Sequence, residues 1–240
     1  MAMRYRSATA LALAAVLVGC GVPGGGAEED RPADAAGVAE GASRSADAEG
    51  AVGRAADGPG EDGFFSDPVV PEVPAPELAL TDHTGAAWSM AEHRGRVVVL
   101  FFGYTHCPDI CPQTLNVARL ALAEPDVDAS KVAVVLVSVD PERDTPEVLA
   151  PYVGAFGPEF TGLTGDPAAV RAVAEGYGVR YEVESPDGPV TPSAGGTYTV
   201  AHSPWTLLID GTGQLRRRFA GAFTPAELAN DLRVLVGELR

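Results

Sequence analysis

The chain has 240 residues, enough for one domain with a sizeable core plus tails. Its formal net charge is -16 and Lys131 is its only lysine. So acidic a chain offers no basic face for phosphate, which excludes nucleic acid as a partner.

The N-terminus reads as an export signal. Arg4 and Arg6 form a charged start, and Ala8 to Val18 is an apolar stretch too short to span a bilayer. It closes on Leu17-Val18-Gly19-Cys20, which resembles the lipobox of bacterial lipoproteins. Residues 1–19 are therefore expected to be a signal peptide, with Cys20 the lipidated first residue of the mature chain. Such an anchor, with at least two acyl chains, would hold the protein on the extracytoplasmic side of the bacterial plasma membrane. Disulfides can persist there.

Residues 20–70 read as a tether, rich in Gly, Ala, Asp and Glu. Eleven acids face three arginines, a net of -8, and the only aromatics are Phe64 and Phe65. Such a segment buries too little apolar surface to offset its ordering entropy. Fifty flexible residues reach roughly 40 Å.

Folding signals are expected from Pro71, giving a domain over 71–240. Glu77–Thr81 and Gly85–Ser89 predict a hairpin around Asp82-His83-Thr84-Gly85. Val97–Phe102 is a continuous apolar run and predicts a buried strand, as does Val132–Val139. Helices are predicted over Gln113–Ala123, over Thr145–Gly154 with Pro146 in its first turn, and over Asp166–Glu175. Val179–Val183 predicts a strand and Ser185–Gly196 a surface loop or hairpin insertion. Thr206–Asp210 and Gln214–Ala220 predict a second hairpin. A final helix capped by Thr224 carries Leu228, Leu232, Leu235 and Leu239. This order predicts an α/β fold, a central mixed sheet with helices on both faces and an N-terminal hairpin. A reactive motif at the end of the first buried strand sits where such sheets place ligands. That is the thioredoxin-like arrangement.

The motif is Gly103-Tyr104-Thr105-His106-Cys107-Pro108-Asp109-Ile110-Cys111-Pro112. A helix starting near Pro112 would put both sulfurs at its N-terminus, where the helix field favours thiolate. Four-residue spacing puts both on one helical face. Taken alone, the pair serves equally as a structural disulfide, a redox dithiol or a metal chelate. His83 and His93 read as solvated, and His106 as pointing away from the cysteines. Asp140, at the end of the second buried strand, either orients a ligand or faces a partner, or caps the turn after it. Pro204, six residues before Asp210, predicts a cis Ser203–Pro204 bond facing the cysteine loop, which would favour redox use.

The motif closely resembles the signature of the Sco (SenC) family of copper proteins. Ser138-Val139-Asp140-Pro141-Glu142-Arg143-Asp144-Thr145-Pro146 and Tyr198-Thr199-Val200-Ala201-His202-Ser203 resemble two further family segments, in the same order. The likeness covers about residues 75–238. It implies a thioredoxin-like domain that binds one copper, as Cu(I) or Cu(II), through Cys107, Cys111 and His202. It also implies that the copper is received from a donor protein and delivered to the binuclear copper A site of cytochrome c oxidase. The donor set suits that metal: thiolates favour Cu(I), and an imidazole makes Cu(II) acceptable. The alternative is a thiol–disulfide oxidoreductase in which Cys107 and Cys111 reduce the oxidase's copper-ligand cysteines. A peroxidase relative fits less well, because Thr105-x-Cys107 lacks the Pro-x-x-x-Thr-x-x-Cys frame. One departure stands out: many members carry an acid directly before the histidine, where this chain has Ala201.

Overall fold

The computed structural model describes residues 58–239, except 186, 187, 189 and 194. The signal-like segment, Cys20 and most of the acidic stretch lie outside the described residues. Among the described residues no helix is long and apolar enough to cross a membrane.

Ten strands and four α-helices follow in order: β1 (Asp67–Pro74), β2 (Leu80–Asp82), β3 (Ala87–Trp88), β4 (Val97–Gly103), α1 (Ile110–Leu122), β5 (Val132–Ser138), α2 (Pro146–Gly154), β6 (Phe160–Thr164), α3 (Pro167–Gly176), β7 (Tyr181–Glu184), β8 (Thr199–His202), β9 (Trp205–Ile209), β10 (Gln214–Ala220) and α4 (Pro225–Gly237). Eight strands form one mixed sheet, ordered β1-β10-β9-β4-β5-β6-β2-β3, and β7 and β8 form a separate ribbon. At its centre β4 runs parallel to β5, and β5 to β6, while β9 is antiparallel to β4. Every residue of β4 and β5 is buried. That follows from their continuous Val/Leu/Phe runs, which only a sheet covered on both faces can accommodate. The α/β, thioredoxin-like architecture expected from the element order is the one observed.

The helices stop and start where local chemistry dictates. Asp166 caps α3 by accepting from Ala168 N at 2.8 Å. Thr224 and Glu227 form a reciprocal capping box on α4, with Pro225 in its first turn. Leu228, Leu232 and Leu235 of α4 are fully buried, as the leucine stripe implies. Helix α1 begins at Ile110, two residues earlier than the prolines suggest.

The fold also begins earlier than the Pro71 boundary. Strand β1 starts at Asp67 and pairs with β10 at Asp67↔Arg218. Ahead of it, Phe64 and Ser66 are buried. The fully buried Asp231 carboxylate on α4 accepts from Phe65 N at 2.8 Å, Ser66 N at 2.9 Å and Ser66 Oγ at 2.5 Å. Arg217 stacks over the Phe64 ring at 4.1 Å, pairs with Asp62 at 2.7 Å and donates to the Ser66 carbonyl. The last part of the segment read as tether is thus held by two charged side chains far away in sequence.

Besides β1, two strands, β6 and β8, were not expected. Gly162 in β6 is a packing requirement: a Cβ there would lie 3.2 Å from Leu149 Cβ and Val153 Cγ1 of α2. Ser203–Pro204 is trans, against expectation; among the described residues only Val70–Pro71 is cis. Two residues connect β8 to β9, with Ser203 N bonded to the Arg180 carbonyl and the Pro204 carbonyl accepting from Gly221 N. An ordinary extended bond satisfies both contacts.

Candidate metal centre

Strand β4 delivers the motif. Its last residue, Gly103, lies against Cys111: a Cβ built on Gly103 would stand 2.9 Å from Cys111 Sγ and 2.6 Å from Phe101 Cε1. Only glycine lets the strand end and the sulfur approach so closely. Cys107 lies in the loop before α1, partly exposed. Cys111 lies in the first turn of α1, completely buried. Both are free thiols.

The third side chain comes from 91 residues downstream. His202, at the end of β8, places Nε2 3.7 Å from Cys111 Sγ. Its ring stands edge-on to Phe101 and Tyr104, with centroids 5.9 Å and 6.3 Å apart. His202 Nδ1 lies 3.1 Å from the Ser203 carbonyl. A carbonyl only accepts, so Nδ1 carries the proton and the Nε2 lone pair faces the sulfur. The structure therefore brings Cys111 and His202 together, two of the three side chains that the sequence selected, with Cys107 in the loop just ahead of α1.

Electrostatics modify the thiolate expectation. Burial pushes the Cys111 thiol well above the ordinary range, and the Cys107 side chain pushes the same way. Placement in the first helical turn does not offset complete burial. Burial likewise lowers His202 below the ordinary histidine value, against a smaller opposing effect of the Ser203 carbonyl. The site thus sets a buried thiol against a neutral imidazole. Two thiols and an imidazole nitrogen, with one sulfur and the nitrogen already adjacent, form a donor set that fits a soft or borderline metal. The anchored Nδ1–H fixes the ring as a ligating histidine requires.

The other histidines stand apart. His83 accepts from Gly162 N at 3.3 Å. His93 stacks on Trp88 at 4.4 Å and so is packed rather than freely solvated. His106 is half exposed, with Nδ1 3.1 Å from Thr105 Oγ1 and 3.9 Å from Asp144 Oδ1. Atoms of His106, Asp140 and Asp144 lie within 4.8 Å of one another. Both carboxylates are already engaged, however. Asp144 accepts from Thr105 N at 2.9 Å, Thr105 Oγ1 at 2.5 Å and Ser138 Oγ at 2.6 Å. Asp140 pairs with Arg143 Nε at 2.5 Å and accepts from Tyr198 OH at 2.7 Å. This trio is built for support, not for an ion. Asp140 is buried rather than at a rim, and its carbonyl accepts from Arg143 N and Asp144 N in the turn that follows it. Ala201 is exposed and sits opposite Glu182 of β7 in the ribbon.

Comparison with known proteins identifies the family. The SCO1/SenC family model matches residues 72–237. An SCO2-like protein of Rickettsia felis is 31% identical over 157 residues, covering 65% of this chain and 74% of that protein. The mitochondrial protein SCO2 of Saccharomyces cerevisiae is 38% identical over 136 residues, covering 56% of this chain and 44% of that protein. The chain thus spans between under half and three quarters of these relatives' length. Among solved structures, copper-bound ScoI of Bradyrhizobium japonicum superposes with a TM-score of 0.58 at 36% identity, covering 68% of this chain and 99% of that one. The chain belongs to the SCO1/SenC family.

Proposed function

We propose that this SCO1/SenC-family chain is a copper carrier. Cys107, Cys111 and His202 hold one copper ion, received from a donor protein and delivered as cargo to the binuclear copper A site of cytochrome c oxidase. A lipid on Cys20 and the acidic segment after it keep the domain at the extracytoplasmic membrane surface. The observation that carries this reading is the 3.7 Å approach of His202 Nε2 to Cys111 Sγ across 91 residues. It is supported by the copper-bound state of the Bradyrhizobium japonicum relative, whose sequence is 36% identical.

The protein's own groups do three things for the cargo. The Ser203 carbonyl fixes the imidazole tautomer, so the ring needs no reorientation to use Nε2. The buried Cys111 is costly to ionise without a cation beside it, so metal uptake is coupled to proton release. The partly exposed Cys107 is the sulfur a donor or acceptor reaches first. The test is Cu(I) titration of the reduced full chain beside His202→Ala. One equivalent bound by wild type, and weakened binding in the variant, are expected. Unchanged affinity in His202→Ala would remove the three-ligand site.

A second reading has its own observation. One partly exposed and one buried free thiol, four residues apart, also suit a dithiol reductase. Cys107 would attack a substrate disulfide, and Cys111 would resolve the mixed disulfide. The pair would end oxidised, with two electrons and two protons passed to the substrate thiols. That activity needs no His202, and the trans Ser203–Pro204 bond removes one argument for it.

A further inference from the structure

The turn after β5 supplies no ligand, yet it touches both segments that do. Asp140, Arg143 and Asp144 in it, and Ser138 at the end of β5, are buried polar side chains, whereas Glu142 is exposed. One arm reaches the cysteine loop: the Asp144 carboxylate accepts from Thr105 N and Oγ1, two residues before Cys107. The other arm reaches the strand bearing the histidine. Asp140 accepts from Tyr198 OH at 2.7 Å, and Arg143 Nη1 donates to the carbonyls of Tyr198 at 3.1 Å and Gly196 at 3.3 Å. The Arg143 guanidinium also lies 3.7 Å over the Tyr198 ring and 5.8 Å from the Tyr104 ring. Tyr104 completes the frame by accepting from Val200 N at 3.2 Å. Backbone bonds from Arg143 N and Asp144 N to the Asp140 carbonyl keep the two arms on one tight turn.

We infer that Asp140, Arg143 and Asp144 act as a yoke, setting where the imidazole of His202 stands relative to the sulfurs of Cys107 and Cys111. The ribbon that carries His202 needs such a tie. It lies outside the main sheet, and β8 hydrogen-bonds only to β7 as a strand. A buried ion pair contributes little net stability, since desolvation consumes most of its Coulombic gain. Its specificity is geometric: Arg143 Nη1 holds two carbonyls while Nε pairs with Asp140, and that carboxylate fixes one phenol. These are positioning residues that act through His202. The inference rests on the copper-site reading, and its experiment separates the two.

The full chain is titrated with Cu(II) and followed by electron paramagnetic resonance. Wild type is compared with His202→Ala, with the paired substitution Asp140→Asn plus Arg143→Met, and with all three together. Substituting the ion pair jointly avoids leaving one buried charge alone. The paired variant is expected to lose the imidazole nitrogen coupling and to bind Cu(II) about tenfold more weakly, within the range of coupled neighbours. In the His202→Ala background the same pair should change nothing further. An unchanged nitrogen signature, or an equal loss with and without His202, would overturn the yoke. A copper-free measurement stands beside this: imidazole nitrogen shifts of His202, which report a single Nδ1–H tautomer in wild type and an averaged one in the paired variant. If His202→Ala leaves the Cu(II) signal unchanged, the ligand reading fails and the imidazole shifts alone decide the yoke. Should the paired variant not fold, Tyr198→Phe deletes one bond to Asp140 and is expected to act in the same direction, about threefold. No change there would overturn the inference.

Discussion

Substituting Gly103 by alanine tests how closely the end of β4 is fitted to the site. The added methyl would stand 2.6 Å from Phe101 Cε1 and 2.9 Å from Cys111 Sγ, where carbon contacts normally relax to about 3.5–4.0 Å. Neither neighbour can retreat to solvent, because Phe101 and Cys111 are both buried in the core. Gly103 is also paired with Ser138 of β5, so the strand end cannot lift without breaking sheet register. Overpacking of this kind costs about 1–3 kcal/mol. For a folded part of this size each kcal/mol lowers Tm by roughly 2–4 °C. The displaced sulfur also leaves the position from which it meets His202, so Cu(I) affinity falls along with stability. Urea denaturation and Cu(I) competition titration measure the two effects. Adding Cys111→Ala removes one of the two clashes, so the double variant should be less destabilised than the sum of the singles. Strict additivity, or a Gly103→Ala protein with wild-type stability and affinity, would refute the packing argument.

Other outcomes follow from the same geometry. In the copper-free reduced protein at neutral pH, iodoacetamide should modify Cys107 far faster than Cys111, because Cys111 is buried and its thiol is held protonated; mass-spectrometric mapping giving equal rates would contradict this. Asp231→Ala strands the donors of Phe65 and Ser66, each costing about 1–3 kcal/mol; limited proteolysis should then open residues 58–66, and an unchanged cleavage pattern would count against the clasp. The copper-free His202 ring should titrate below the ordinary histidine range of about 6.5 by proton NMR. The unfolded chain then takes up the proton first, so this histidine's contribution to stability falls as pH drops below about 6.5 and levels off once the folded ring also protonates. A midpoint above that value would reverse the sign. Thr224→Ala removes half of the capping box on α4 and should cost about 1 kcal/mol by thermal denaturation, without altering copper binding.

The parts legible in the sequence are those whose signal is local. Val97–Phe102 and Val132–Val139 announce buried strands because an unbroken β-branched run has no other stable use. Thr224-Pro225-x-Glu227 announces a helix start because the cap completes itself within four residues. What escaped is carried by side chains far apart in sequence. Glycine and acid dominate the segment around Phe64, yet that segment is folded because Asp231 and Arg217 hold it from more than 150 residues away. Arg143 and Asp144 were visible only as letters of a motif, since their roles depend on where residues 104–105 and 196–198 arrive in space. The thiolate expectation for Cys111 failed for a related reason. The helix start is local and readable, whereas the burial that outweighs it is made by the whole fold.

That burial also bears on the choice between a chelate and a dithiol. A reductase that relied on His202 would need a cation beside the sulfur to stabilise thiolate. The ring here is held neutral by burial, with its one proton on the Ser203 carbonyl side. Burial opposes proton transfer from Cys111 to the ring, so the lone pair that a neutral imidazole offers does not turn that thiol into a thiolate. It is, however, what a metal ion beside that sulfur would use. The edges of Phe101 and Tyr104 add further reason to regard the ring position as built, since both pack against an imidazole that dithiol chemistry does not require. The third side chain therefore weighs toward the chelate. Cys107 and Cys111 alone do not discriminate, because an accessible thiol beside a buried one serves either chemistry.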